Sequence, residues 1–278
     1  YRLRTNEPGD AADVVFTGHG GFPTLEARGD TIRAGAAAAP GVLAIRNDST
    51  RRLTFIVEDQ AWRQDILTAH RATTLQAFRE LFTKEVLRPG DDVEIDHVTI
   101  MFTDLKGSTA LYERVGDPRA YALVREHFAL LGRAVRDHDG AVVKTIGDAI
   151  MAVFHHPDDG YRCALAIQDA FAAHNAAAPD GEALTIKLGL HLGRCISVTL
   201  NDRLDYYGTA ANMAARLQGQ SVGGDIVLSR EFVADPAVAP LLEGVALEDG
   251  AAPLKGYAES IPFHRLTAEV LAGMRLEH

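Results

Sequence analysis

Hydrophobic and polar positions change their period twice along the chain, marking three zones. Over residues 1–59, short aliphatic or β-branched runs alternate with clusters of Gly, Pro, Asn and Asp. Val14-Val15-Phe16, residues 41–45 and residues 52–57 read as strands, with Asn47-Asp48-Ser49 as the turn between the last two. This predicts a small β-rich module, placed ahead of the rest of the chain as a regulatory module would be. Over residues 60–87 the spacing turns helical. Trp62, Ile66, Ala69, Leu75, Phe78, Leu81 and Phe82 recur at three- and four-residue steps until Pro89-Gly90 stops the pattern. Residues 60–93 thus read as a connecting helix and linker, either a plain packed connector or a transmitter of signals between domains.

From residue 94 to about 266, strand and helix periods alternate. Residues 97–103 form a strand with Val98, Ile100 and Phe102 on one face and Thr99, Met101 and Thr103 on the other. A helix follows, with Asp117 as N-cap, Pro118 in its first turn, the stripe Tyr121, Val124, Phe128, Leu131, Val135, and Gly140 at its end. Residues 141–146 and 149–154 are strands joined across Gly147-Asp148, a hairpin turn signature. Further elements are a helix over 157–175, strands over 184–192 and 195–200, a helix over 209–217, and strands over 225–229 and 261–266. Residues 268–278 read as a tail. Hairpins mixed with helical crossovers predict an α+β layout.

The length of 278 residues suits one large domain or two modest ones. Lys and Arg number 28 against 38 Asp and Glu, and the net charge of −10 argues against a nucleic-acid partner. With 47% hydrophobic and 24% charged residues, the composition is that of a globular chain rather than a disordered one. Cys163 and Cys195 are too few for a disulfide framework or a Cys-rich zinc site, so the expected setting is the reducing cytoplasm with both thiols buried. The longest uncharged run, residues 34–45, contains Gly35, Pro40 and Gly41 and is too short to span a bilayer, and no signal-peptide pattern is present. No membrane segment is therefore expected. Tyr1 is not a start Met, so the chain reads as a fragment of something longer.

Three stretches carry candidate chemistry. In Phe102-Thr103-Asp104-Leu105-Lys106-Gly107-Ser108-Thr109, a carboxylate ends a strand and a small-residue turn opens a helix, which presents backbone N–H groups to phosphates. Asp104 could equally cap that helix. The order Lys-Gly-Ser excludes a P-loop. In Lys144-Thr145-Ile146-Gly147-Asp148, the Asp sits at the hairpin turn, where Gly-Asp also occurs for backbone reasons alone. If Asp104 and Asp148 converge, their charges repel unless cations lie between them, and hard oxygen ligands suit Mg²⁺ or Mn²⁺. In residues 205–217, Asn212 and Arg216 stand four apart, hence on one face, of a helix otherwise small and apolar. A solvated polar stripe is the common explanation, but on a buried helix both need partners.

Taken together, FTDLKGST, VKTIGDAIMAVF and DYYGTAANMAARL resemble the catalytic domains of class III nucleotidyl cyclases, adenylate cyclases in particular. Gly189-Leu190-His191 and Leu254-Lys255-Gly256-Tyr257 support the likeness, which covers residues 94–266 and leaves the first zone outside. The resemblance implies a ferredoxin-like, palm-type α+β domain over 94–267. It implies metal binding by Asp104, Asp148 and the Leu105 carbonyl, with two Mg²⁺ or Mn²⁺ ions per active site. Lys144 and Asp205 would read the purine, Asn212 would orient the ribose, and Arg216 would stabilise the transition state. Gly107, Ser108 and Thr109 would meet the phosphates, and Lys255 stands where the family often has a triphosphate-binding lysine. It also implies a two-fold homodimer whose two sites each draw residues from both chains.

Adenine offers an acceptor at N1 and a donor at its amino group, which a Lys donor and an Asp acceptor match. Guanine reverses both groups, so the expected substrate is ATP and the expected products are 3′,5′-cyclic AMP and pyrophosphate. His155, His156 and His191 read as structural or solvated, since the reaction needs no protein nucleophile. Rival readings are a guanylate cyclase, a catalytically silent nucleotide-binding module, and a sensor or scaffold acting through residues 1–59. A diguanylate cyclase is disfavoured because Gly223-Gly224-Asp225-Ile226 is not its hairpin signature, and Gly18-His19-Gly20-Gly21 lacks the third glycine of a dinucleotide fingerprint.

Overall fold

The computed structural model describes residues 2–5, 11–13, 23–28, 31–37, 43–58, 68–81, 93–200, 203–253 and 260–276. The chain divides into two compact units, Tyr1–Leu67 and Thr68–His278. In the first unit lie β1 (Arg2–Thr5), β2 (Ala11–Asp13), β3 (Pro23–Arg28), β4 (Thr31–Ala37), β5 (Ile45–Asn47) and β6 (Phe55–Glu58). They form two three-stranded sheets, ordered β2-β1-β6 and β4-β3-β5, with Leu25, Ala27 and Ile32 buried. The turn at Asn47 is present, its Oδ1 accepting from the Ser49 N–H at 3.0 Å and its amide donating to the Arg51 carbonyl at 2.8 Å. The flanking strands do not pair across it, however. β5 runs parallel to β3 and β6 antiparallel to β1, because the connection is too long for a tight hairpin. The strand expected at Val14-Val15-Phe16 lies outside the described residues.

The second unit opens with α1 (Ala69–Thr74) and α2 (Gln76–Leu81). The single helix expected here is interrupted at Leu75, which is extended at φ −87°, ψ 123°. Thr73 and Thr74 are β-branched and buried, and the Thr74 hydroxyl donates to the Arg71 carbonyl at 3.0 Å, a local bond that competes with helix continuation. Trp62, Ile66 and Phe82 lie outside the described residues.

There follow β7 (Val93–Leu105), α3 (Ser108–Val115), α4 (Asp117–Asp137), β8 (Gly140–Ile146), β9 (Ala149–Phe154), α5 (Pro157–Ala177), β10 (Ile186–Leu200) and β11 (Arg203–Tyr207). The unit closes with α6 (Thr209–Gln218), β12 (Ile226–Ser229), α7 (Arg230–Val233), a 3-10 turn at Ala239–Leu242, β13 (Glu248–Pro253), β14 (Ser260–Leu266) and α8 (Ala268–Leu276). The eight strands form one sheet ordered β13-β14-β12-β10-β7-β9-β8, with β11 paired to the far end of β10. Within it, β10-β7-β9-β8 are antiparallel throughout, with α3–α4 and α5 as the two crossovers. This is the ferredoxin-like split βαβ arrangement.

Both faces of the sheet are covered, which is why β7 reads as a nearly continuous apolar run. Met101, Leu105, Ile150, Ala152 and Phe154 pack on the helices of one face. Val98, Ile100, Phe102, Met151 and Val153 pack with Tyr206, Ala210 and Ala214 on the other. Several expectations need correction. α4 begins at Asp117 with Gly116 as its cap, so Asp117 is a first-turn acid beside the helix dipole rather than the N-cap. Its end is marked by Asp139 at φ 51°. Gly140 is instead a packing glycine, where a Cβ would stand 2.3 Å from the Phe154 ring. The two strands expected over 184–200 are one strand, β10, with an irregularity between Gly193 and Cys195. Most of the expected tail is helical, and Leu271 of α8 joins the core.

Candidate active site

Asp104 is the penultimate residue of β7, and Asp148 is the second residue of the two-residue turn between β8 and β9. Gly147 takes φ 64° there, a conformation that fits a type II′ turn and favours glycine. The pairing β7–β9 lays this turn beside the end of β7. Burial and the nearby Asp148 charge push the Asp104 carboxyl above the usual carboxylate range, while Lys187, the Leu105 N–H and the Gln218 amide pull the other way. Asp148 Oδ2 is buried with no hydrogen-bond partner. A carboxylate held beside a second one whose buried oxygen is orphaned fits a hard cation. Among the described residues no cluster of three or more His, Cys, Asp or Glu side chains completes a cage. Remaining ligands would have to be backbone oxygens such as that of Leu105, water or phosphate, the usual manner of Mg²⁺.

Asp104 does not cap the next helix. α3 is capped by Gly107 at φ 71° without any side-chain bond, so Ser108 and Thr109 open the helix with N–H groups that no capping side chain takes. Behind the turn stands a residue that sequence reasoning missed. His127 of α4 is fully buried against Phe128 and Phe171, and its Nε2 lies 2.8 Å from the Asp148 carbonyl oxygen. Burial lowers its pKa to about 4, so it is neutral near pH 7, and Nε2–H is the donor. Its only sequence signal is a polar residue within the buried stripe of α4.

Further along the hairpin, Lys144 Nζ meets Asp205 Oδ2 at 2.6 Å. Strand parity alone would send Lys144 to the helix-covered face with Val142. An irregularity between Val142 and Lys144 shifts the register, so that Lys144 pairs with Met151 on the β11 side. Asp205 is buried, and its Oδ1 also accepts its neighbour's N–H, from Tyr206, at 2.8 Å. Lys144 and Asp205 thus pair with each other rather than with the aspartates at the turn.

Asn212 and Arg216 lie on α6, whose buried residues are Ala210, Ala214 and Leu217. The expectation of a largely buried helix needs correction, because Asn212 is exposed and Arg216 half-buried. α6 nonetheless lies tight on β10. A Cβ at Gly189 would stand 2.2 Å from the Gln218 backbone nitrogen, which explains the glycine of Gly189-Leu190-His191. Lys255 and the stretch around it lie outside the described residues. Besides His127, residues not anticipated from sequence are Lys187 and Gln218 beside Asp104, and Gln76 and Arg79 beside Lys144 and Asp205.

Comparison with known proteins bears on the family and the fold. Residues 91–236, more than half the chain, match the family model described as the adenylate and guanylate cyclase catalytic domain. A stretch of 105 residues, 38% of the chain, is 32% identical to a serine/threonine-protein kinase of Myxococcus xanthus, covering 13% of that relative. A longer stretch of 176 residues, 54% of the chain, is 30% identical to adenylate cyclase 1 of Rhizobium meliloti, covering 26% of it. The chain therefore spans about a quarter or less of these relatives. Among solved structures, the catalytic core of a rhodopsin-guanylyl cyclase with converted specificity, in complex with ATPαS, superposes with a TM-score of 0.53 at 22% identity. That match covers 64% of this chain and 99% of the other and speaks to the fold.

Proposed function

We propose that this chain, which belongs to the adenylate and guanylate cyclase catalytic domain family, converts ATP to 3′,5′-cyclic AMP and pyrophosphate. The observation that carries the choice of ATP is the Lys144–Asp205 pair at 2.6 Å. Its donor and acceptor complement N1 and the amino group of adenine, and guanine would meet both with the wrong partner in a partly buried place. Asp104, Asp148 and the Leu105 carbonyl would hold two Mg²⁺ or Mn²⁺ ions, and the orphaned Asp148 oxygen supports that role. Bound there, such ions would make the ribose 3′-hydroxyl a better nucleophile and neutralise the departing pyrophosphate.

In this reaction the 3′ oxygen forms a bond to the α-phosphorus as the bond to the pyrophosphate oxygen breaks, and the 3′-hydroxyl proton is released to water. Arg216 supplies a fixed positive charge where negative charge gathers on the α-phosphate. Asn212 holds the ribose so that the hydroxyl stays within attack distance. The N–H groups opening α3 at Ser108 and Thr109, after Gly107, receive phosphate oxygens. We also infer a two-fold homodimer with two shared sites, the assembly that the class III resemblance implies, in keeping with Lys144 being paired to Asp205 and not to Asp148 four residues away. Ile146 and Tyr207, neighbours of those two functional pairs, are 51% and 55% exposed, as a surface awaiting a second copy would be.

The test is to purify the chain with ATP and Mn²⁺ and follow both products. Cyclic AMP and pyrophosphate should appear in equal amounts, and Asp104→Ala should abolish both. Mixing inactive Asp104→Ala with inactive Arg216→Ala chains should restore one working site per heterodimer. No recovery despite proven subunit exchange would rule out shared sites.

A further inference from the structure

Among the described residues, β8 and β11 each present one unpaired edge, since β8 ends the sheet and β11 pairs only with β10. The six-residue helix α2 reaches both edges. Gln76 Oε1 accepts the Val142 N–H of β8 at 2.9 Å, immediately before the irregularity that turns Lys144 toward Asp205. Arg79 Nη2 donates to the Leu204 carbonyl of β11, the residue immediately before Asp205. Its Nη1 donates to the Thr73 carbonyl at 3.1 Å, which ties the guanidinium back to α1. The guanidinium carbon stands 5.7 Å from the centre of the Tyr206 ring, on the other side of Asp205.

Arg79 is a cation largely withdrawn from water, and its described hydrogen bonds go to backbone carbonyls. Burial lowers its pKa, opposed by the nearby Tyr206 phenol and the charge of Asp205. Such a group is costly to keep unless its geometry is needed. A Lys–Asp pair already in contact must open to admit the edge of a base. It can then read donor against acceptor only if the two strands hold their spacing while the ion pair parts.

Resting on the reading of Lys144 and Asp205 as the purine-reading pair, we propose that Gln76 and Arg79 are positioning residues for substrate recognition. They clasp β8 to β11, so that α2 sets how well the pair distinguishes ATP from GTP. The helix α2 is thereby tied to base selection and not to metal chemistry.

The test uses the full chain with Arg79→Met, which keeps the apolar stem, and Gln76→Leu. Arg79→Met should raise the ATP KM and narrow the ATP-over-GTP preference about three- to tenfold, the weight of one net hydrogen bond, with kcat and the Mn²⁺ requirement little changed. Arg79→Lys should recover part of the loss. Amide hydrogen exchange gives a readout independent of turnover. In Arg79→Met, residues 203–207 should exchange faster while 102–105 and 148–152 keep the parent rates. An unchanged KM and base preference, or a fall in kcat and Mn²⁺ response together with uniformly faster exchange, would overturn the proposal. If the parent makes no cyclic nucleotide from ATP or GTP, the functional reading itself fails, and the clasp is then judged by the exchange pattern alone.

Discussion

The two acidic sites of this domain are built on opposite principles. Asp104 and Asp148 are like charges brought together, one with its proton affinity raised and the other with a buried oxygen left unsatisfied. Asp205 has its cation already in place, with Lys144 at 2.6 Å and a backbone N–H on its second oxygen. The first site is incomplete without an external positive charge, whereas the second is complete until something displaces the pair. The proposed function accordingly assigns the cofactor ions to the first, and to the second a recognition that trades one hydrogen bond for another. Substitutions should therefore separate cleanly, with turnover and metal dependence failing at one end and base preference at the other.

The widest separation is expected from Asp148→Ala, which should lower cyclic AMP formation by about 1,000-fold or more, measured by initial rates across a Mn²⁺ series. If added Mn²⁺ left that loss unchanged and Lys144→Met caused an equal one, the two sites would not differ in kind. Arg216→Ala should cost about 100- to 1,000-fold in kcat with a smaller change in ATP KM if its charge acts on the transition state as proposed.

His127 sharpens the contrast through pH. Its folded pKa of about 4 lies below the ordinary 6.5, so the unfolded chain takes up the proton first. Its contribution to stability is complete above pH 6.5 and is lost as pH falls through 4, a loss on the order of 3 kcal/mol. Urea midpoints at pH 7 and pH 4.5 should converge in His127→Leu relative to the parent. Because His127 holds the Asp148 carbonyl, hydrogen exchange in mild acid should loosen the 147–149 turn before β11. At the base-reading end, Lys144→Met should raise the ATP KM about ten- to fiftyfold and leave the Mn²⁺ optimum in place, read from steady-state curves at several metal concentrations.

Much of this was legible in the sequence because it is local. The β8–β9 hairpin, the strand ending at Asp104 and the α6 face carrying Asn212 and Arg216 each follow from a period or a turn signature within a dozen residues. What failed were features decided by distant partners. Gly140 looks like a helix terminator, but its smallness answers the Phe154 ring. Helical periodicity crosses Leu75 unbroken, yet buried Thr73 and Thr74 interrupt the helix there. The register shift before Lys144 leaves no mark in composition, although it decides which face the lysine joins. Gln76 and Arg79 reach residues 66 and 125 positions away, beyond any pattern that local spacing records. In residues 1–59 the sequence pointed only to the neighbourhoods of β5 and β6, missing β1 to β4, and gave no pairing partners, as β5 and β6 show by joining different sheets.

The most direct measurement is the initial rate of the purified chain with ATP and with GTP, side by side at equal concentration and saturating Mn²⁺, with both cyclic products quantified. The account predicts cyclic AMP as the main product, with kcat/KM for ATP exceeding that for GTP by about 100-fold. Cyclic GMP formed at an equal or greater rate would contradict it, and would mean that Lys144 and Asp205 do not read the base as their donor and acceptor suggest.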